Sequence, residues 1–316
     1  RIHKFSLDNG QINYIGYMQA PGHVLNQFSM DEYDSYFRIA TTVGTSTRFI
    51  GGNAQTSNNI YIFDSDLKMV GKLEEIAPGE SIYSARFMGD RCYLVTFKKV
   101  DPFFVIDLTD PENPKILGKL KIPGYSDYLH PYDENHIIGI GKETIEAESE
   151  EGMPSNFAWY QGVKMAIFDV TDVTNPKELH KVVIGDRGTD SYALHDHKAF
   201  LFDREKNLLV IPILLAELTE EQKKQATPQW APYGEYKYQG AYVYDLTLEN
   251  GFVLKGRITH YEDNQTFLKS GYYYFDDEYS IKRSLFIDDV LYTISGKKIK
   301  LNYLRDLSEI KELVFS

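Results

Sequence analysis

The chain has one cysteine, Cys92, among 316 residues, which excludes an intrachain disulfide and any metal centre built from several thiolates. Cys92 sits in the strand-like run Arg91 to Phe97 and reads as a small buried hydrophobe. Basic residues are also short: 34 Lys and Arg stand against 46 Asp and Glu, a formal net charge of −12. A phosphate-binding surface needs a basic stripe to displace counterions, so a nucleic-acid partner is excluded, and an anionic membrane surface is disfavoured. No apolar run reaches the roughly 20 residues of a membrane helix. The longest, Leu208 to Leu218, contains Pro212 and Glu217 and reads as a buried strand, so membrane insertion is not expected. Missing too are the Gly-x-Ser-x-Gly elbow, the phosphate loop, the His-Glu-x-x-His zinc motif and the EF-hand loop. Gly51 and Gly52 lie between strands and read as a loop.

What the chain has instead is aromatic residues and a repeat. Its 24 Tyr and 18 Phe suit half-buried pleated surfaces, where rings pack across strands. The nonapeptides Asp107-Leu-Thr-Asp-Pro-Glu-Asn-Pro-Lys115 and Asp169-Val-Thr-Asp-Val-Thr-Asn-Pro-Lys177 are nearly identical, and each separates two apolar strands. Asp, Asn and Thr bond locally to backbone and Pro fixes φ, so both read as hairpin turns. Degenerate copies follow Ile60-Tyr-Ile-Phe-Asp64 and Ala241-Tyr-Val-Tyr-Asp245. A second pair of strands precedes each hairpin, as in Ile82 to Met88 and Arg91 to Phe97. The result is five four-stranded units, at 24–75, 82–122, 125–184, 189–259 and 279–315.

Repeats of this size with four strands each predict an all-β fold, a β-propeller of four-stranded antiparallel blades. Residues 1–18 supply only the second half of a blade. The closed ring should therefore have at least six positions, with the half-blade completed by upstream sequence or by another chain. The whole chain, 1–316, reads as one propeller domain, a fragment or processed form with no signal peptide in view. It carries insertions at 143–161 and 217–230. The first holds the acidic run Glu146 to Glu151 and reads as a solvated loop; the second reads as a short helix ended by Pro228.

Three segments carry a family resemblance: Val24-Leu-Asn-Gln-Phe-Ser-Met-Asp-Glu-Tyr33, His130-Pro-Tyr-Asp-Glu-Asn-His136, and Leu194-His-Asp-His-Lys-Ala-Phe-Leu-Phe202 with Asn207-Leu-Leu-Val-Ile-Pro212. With them the chain resembles, over nearly its whole length, secreted bacterial and archaeal proteins with a C-terminal β-propeller distantly related to WD40 repeats. The resemblance implies an extracytoplasmic location and implies no activity.

Aligning the first strand of each unit puts Gln27, Arg86, His130, His195 and Arg283 in one column. First strands line the channel of a propeller, so this column predicts a polar channel lining. If His195-Asp196-His197 is a strand, its two imidazoles share a face, about 6.5 to 7 Å apart at the backbone. With His130 one blade away, they form a candidate copper or zinc site. Asp133 or Glu134 would support an imidazole from behind, and Asp196 would point away. Arg86 and Arg283, with Gln27, instead suit an anionic ligand. The bland alternative is that these side chains bond neighbouring backbone and water. His3, His23, His136, His180 and His260 read as structural or exposed, and Asn264-Gln-Thr266 has the form of a glycosylation site.

Two function classes follow. One is an extracytoplasmic binding or scaffolding module for a protein, peptide or glycan, with Tyr272-Tyr-Tyr-Phe275 and Trp159-Tyr160 as contact surfaces. The other is a metalloprotein, a copper-dependent oxidase or a metal-assisted hydrolase.

Overall fold

A computed structural model describes all residues except 45–55, 98–100, 123, 147–157, 228–230, 271–274, 276 and 316. Apolar runs bounded by Asp-, Asn- and Gly-rich turns fold into antiparallel meanders, as the repeat predicts. A two-stranded sheet comes first, β1 (Ile2–Asp8) with β2 (Gln11–Met18). Five four-stranded sheets follow in chain order. They are β3 (Met30–Tyr33), β4 (Tyr36–Val43), β5 (Ser57–Phe63) and β6 (Met69–Ile76); then β7 (Ser81–Met88), β8 (Arg91–Phe97), β9 (Asp101–Asp107) and β10 (Lys115–Ile122). Next are β11 (Tyr125–Asp133), β12 (His136–Glu146), β13 (Ala158–Asp169) and β14 (Lys177–Ile184). The last two sheets are β15 (Leu201–Asp203), β16 (Leu208–Glu217), β17 (Glu235–Thr247) and β18 (Gly251–Ile258), and then β19 (Arg283–Ile287), β20 (Val290–Ile294), β21 (Lys298–Tyr303) and β22 (Glu309–Val314).

The ends of the first insertion are strand, in β12 and β13, and its acidic centre lies outside the described residues. The second contains α1 (Glu220–Gln225), opened by a capping box in which Thr219 Oγ1 accepts from the Gln222 amide and Gln222 Oε1 accepts from the Thr219 amide. Another short helix, α2 (Asn264–Ser270), contains the sequon. Among the described residues no helix is long and apolar enough to cross a membrane.

The chain divides into two compact units, Arg1–Ile137 with Asp169–Lys177, and Ile138–Phe168 with Glu178–Ser316. Within the first, the core lies between successive sheets. Ile60 and Ile62 of β5 pack in one cluster with Cys92 and Leu94 of β8, while the alternate residues Tyr61 and Phe63 pack with Met18 of β2. A stretch covered on both faces reads as a continuous apolar run, and Ile60 to Phe63 of β5 are one. Cys92 is fully buried, and burial raises its thiol pKa, so it fills space rather than reacting. The second unit repeats the scheme, with Val210, Val243 and Leu291 in one cluster.

A glycine notch in the fourth strands β6 and β10 seats the turn of the next blade. A Cβ on Gly71 (β6) would overlap the Pro111 carbonyl oxygen, and one on Gly118 (β10) the Val173 carbonyl oxygen. These are the hairpin turns the nonapeptides form. Gly16 (β2) and Gly256 (β18) face the side chains of Leu67 and Leu307 in the same way. At the equivalent place in β14 stands His180, whose Nε2 lies 2.7 Å from the Leu248 carbonyl oxygen of the following turn. The seating explains why the turn Asp169–Lys177 groups with the first unit although its strands belong mostly to the second.

Candidate functional site

The expected column of first-strand polar residues is uneven. Arg86 and His130 lie within β7 and β11, and Arg283 opens β19. Gln27 lies in a 3-10 turn ahead of β3, capped by Asn26, whose Oδ1 accepts from the Phe28 amide at 3.0 Å. His195-Asp196-His197 is not a strand. Ser191 caps one 3-10 turn, Tyr192–Leu194, and Asp196 caps the next, His197–Ala199. The capping side chains draw the backbone out of the extended region, so the shared-face argument for His195 and His197 is corrected. Asp196 accepts from the Lys198 amide at 3.0 Å and from Arg283 Nη2 at 2.6 Å.

In the first unit, β7 and β11 bring Arg86, Tyr128 and His130 together, with Phe28 from the turn before β3. The Arg86 guanidinium stands 4.8 Å over the Phe28 ring, the Phe28 and Tyr128 rings are 5.2 Å apart, and the Tyr128 hydroxyl is 2.9 Å from His130 Nδ1. Burial, helped by the Arg86 charge, pulls His130 down to a pKa of about 4, so its imidazole is neutral near pH 7. Burial also raises the Tyr128 phenol, with Arg86 working against it. The result is a fixed cation, a phenol and a neutral imidazole on an aromatic floor, groups able to bond both donors and acceptors of a ligand.

In the second unit the centre is Asp190. It is held by a β-bridge to Leu214, and its carboxylate lies 3.0 Å from Lys142 Nζ and 3.1 Å from His195 Nε2. Lys142 also donates to the Thr189 carbonyl oxygen. Burial opposes ionisation of Asp190, but the His195 bond and the Lys142 charge outweigh it and hold the carboxyl below its ordinary range. His195 is mostly exposed and held by a carboxylate through one ring nitrogen.

Asp133 turns to His136 Nδ1 at 2.8 Å and to the Asn135 amide at 2.9 Å. Among the described residues no three His, Cys, Asp or Glu side chains gather closely enough to hold a metal ion. Tyr128, Phe28, Lys142 and Asp190 escape the column reading. Tyr128 carries a sequence signal, since it lies two residues from His130 on the same strand face. Lys142 and Asp190 meet only through the tertiary fold. Of the aromatic contact surfaces, residues 272–274 lie outside the described set, and Trp159 packs against Arg187, whose guanidinium is 4.3 Å from its ring and 4.1 Å from that of Tyr233.

A family model described as "Beta propeller domain" matches residues 1–307. The uncharacterized protein MJ1554 of Methanocaldococcus jannaschii is 36% identical over 316 residues, which are 99% of this chain and 40% of that protein. An uncharacterized protein of Archaeoglobus fulgidus is 41% identical over 211 residues, covering 67% of this chain and 29% of its own. The chain thus spans less than half the length of these relatives. Among solved structures, AztD from Citrobacter koseri matches 96% of this chain and 63% of its own with a TM-score of 0.49 at 13% identity. BamB from Moraxella catarrhalis matches 93% and 63% with a TM-score of 0.42 at 9% identity. With a family match over nearly its whole length, the chain belongs to the β-propeller domain family.

Proposed function

We propose that this domain is an extracytoplasmic binding or scaffolding propeller whose ligand surface centres on Arg86, Tyr128 and His130 over the Phe28 ring. The observation that carries the reading is the convergence of a guanidinium, a phenol and a neutral imidazole from the first strands of two successive sheets. A strand stretch serving packing alone is apolar, as Ile60 to Phe63 of β5 are. The net charge of −12 disfavours polyanions at large, so the ligand is a peptide, protein or glycan with one anionic or acceptor group placed at Arg86. Gln27, on the turn that carries Phe28, extends the same surface.

The test is an array of peptides and glycans probed with the wild-type domain and with Arg86→Ala. A ligand bound by the wild type and weakened about tenfold by the substitution, at unchanged melting temperature, is expected from loss of one charge-assisted bond. Equal binding by both proteins refutes the assigned surface. Fractionation of the source cells checks the location, and recovery with the cytosol refutes it.

A further inference from the structure

The β1–β2 hairpin has every mark of the outer half of a blade. Its register slips between Lys4 and Phe5, as that of β17–β18 slips between Val243 and Tyr244. Gly16 follows the slip on β2 as Gly256 does on β18, and each faces a leucine of the next blade's turn. Ile2 and Met18 pack in one cluster with Ile39, Tyr61 and Phe63, and Lys4 pairs with Glu32 at 2.6 Å. One face is therefore docked as a blade should be.

The rest of the hairpin is bare. In the five four-stranded sheets the third strand pairs on both edges, whereas among the described residues β1 pairs with β2 alone. Third strand β5 is buried from Asn58 to Phe63, but on β1 and β2 the registered pairs Phe5 with Tyr14 and Leu7 with Ile12 stand 53%, 54%, 80% and 71% exposed. His3 and Tyr17 continue the same face. An open edge beside four exposed apolar side chains is a strand-pairing template that folded proteins do not leave uncovered.

We infer that the free edge of β1 is a docking site for two antiparallel strands of propeller type, supplied by polypeptide outside these 316 residues. They form the first and second strands of the incomplete blade, the nearer one paired along Ile2–Asp8 with apolar residues level with Phe5 and Leu7. A second copy of the chain fits poorly. Its own first and second strands are already committed within complete sheets, and pairing β1 with β1 sets two third strands side by side. The relatives have room for the missing pair, since the matched region is 40% of one and 29% of the other.

The test compares amide exchange and melting of the 316-residue chain with those of the full-length polypeptide. In the short chain, Phe5→Lys/Leu7→Lys leaves the melting temperature unchanged, because both side chains face water. In the full-length protein, amides of Ile2–Asp8 exchange about 100-fold more slowly than in the short chain, and the double substitution abolishes that protection. Equally fast exchange in both proteins overturns the inference. So does a concentration-dependent dimer of the short chain whose β1 amides become protected, which would assign the edge to a second copy.

Discussion

Gly71→Ala is expected to lower stability by about 3 kcal/mol, and the melting midpoint by roughly 6 °C, although it adds only one methyl group, at a buried position of an otherwise largely exposed strand. The added carbon would meet the carbonyl oxygen of Pro111 and the Cα of Glu112, which are backbone atoms of a rigid turn. No rotamer change relieves that overlap, so the turn must lift from β6 and expose the blade contact behind it. Gly118→Ala meets Val173 and Thr174 backbone and should behave alike. Gly256→Ala meets the Leu307 Cδ1 at 2.8 Å, a side-chain atom that can swing away, and about 1 kcal/mol is expected. Lys311, at the equivalent position of β22, is already a large exposed residue, and Lys311→Ala should change nothing measurable. The graded series, read by thermal unfolding, distinguishes seating of the turn from a general dislike of alanine in strands. Equal losses at Gly71 and Gly256 would refute the seating.

The same turns show why the fold was so legible. Asp107 Oδ1 accepts from the Thr109 amide at 3.0 Å and its hydroxyl at 2.6 Å, and Asp110 accepts from Glu112 and Asn113. In the second copy Asp169 accepts from the Thr171 amide, and Asp172 from the amide and hydroxyl of Thr174. Local chemistry repeated at fixed places fixes each hairpin without help from distant residues, so a repeat search finds it. Strand existence, unit number and the half-blade all follow from this.

The candidate site was less legible because its geometry depends on short-range capping and long-range packing together. Around His195 the alignment of first strands implies a strand, but Ser191 and Asp196 are both N-cap residues and each opens a 3-10 turn. Asn26 does the same beside Gln27. In both sheets the first strand is correspondingly short, β3 and β15, and the column residue stands before it. A reader weighing cap residues against strand propensity could have seen this. Nothing local, however, announces that Lys142 on β12 reaches Asp190, or that Arg86 and Phe28 meet.

Acid should weaken the fold well above the pH at which carboxylates protonate, and His260 is the main cause. Its ring is fully buried, with Nδ1 2.9 Å from the Ser295 hydroxyl and Nε2 3.0 Å from that of Thr293. Burial, reinforced by the charges of Lys300 and Lys298, pushes its pKa down to about 3. In the unfolded chain the imidazole titrates at the ordinary value, so between the two pKa values the unfolded state binds the extra proton. Stability from His260 is therefore complete above about pH 6.5 and falls as pH drops towards 3. At pH 5 the expected loss relative to pH 8 is about 2 kcal/mol from this residue. His130, with its pKa near 4, adds a loss of the same sign over a narrower window. The depressed Asp107, Asp169 and Asp190 carboxyls act below this range, because their stabilisation is lost only as pH falls through the carboxylate values. His260→Gln keeps a donor and an acceptor but cannot titrate. It should unfold at lower urea concentration at pH 8, with a visibly flatter dependence between pH 8 and pH 5. An unchanged slope in that variant would mean that the ring titrates alike in the folded and unfolded chain, and a steeper one that the fold holds it charged; either would overturn the assignment of His260 as a neutral core residue.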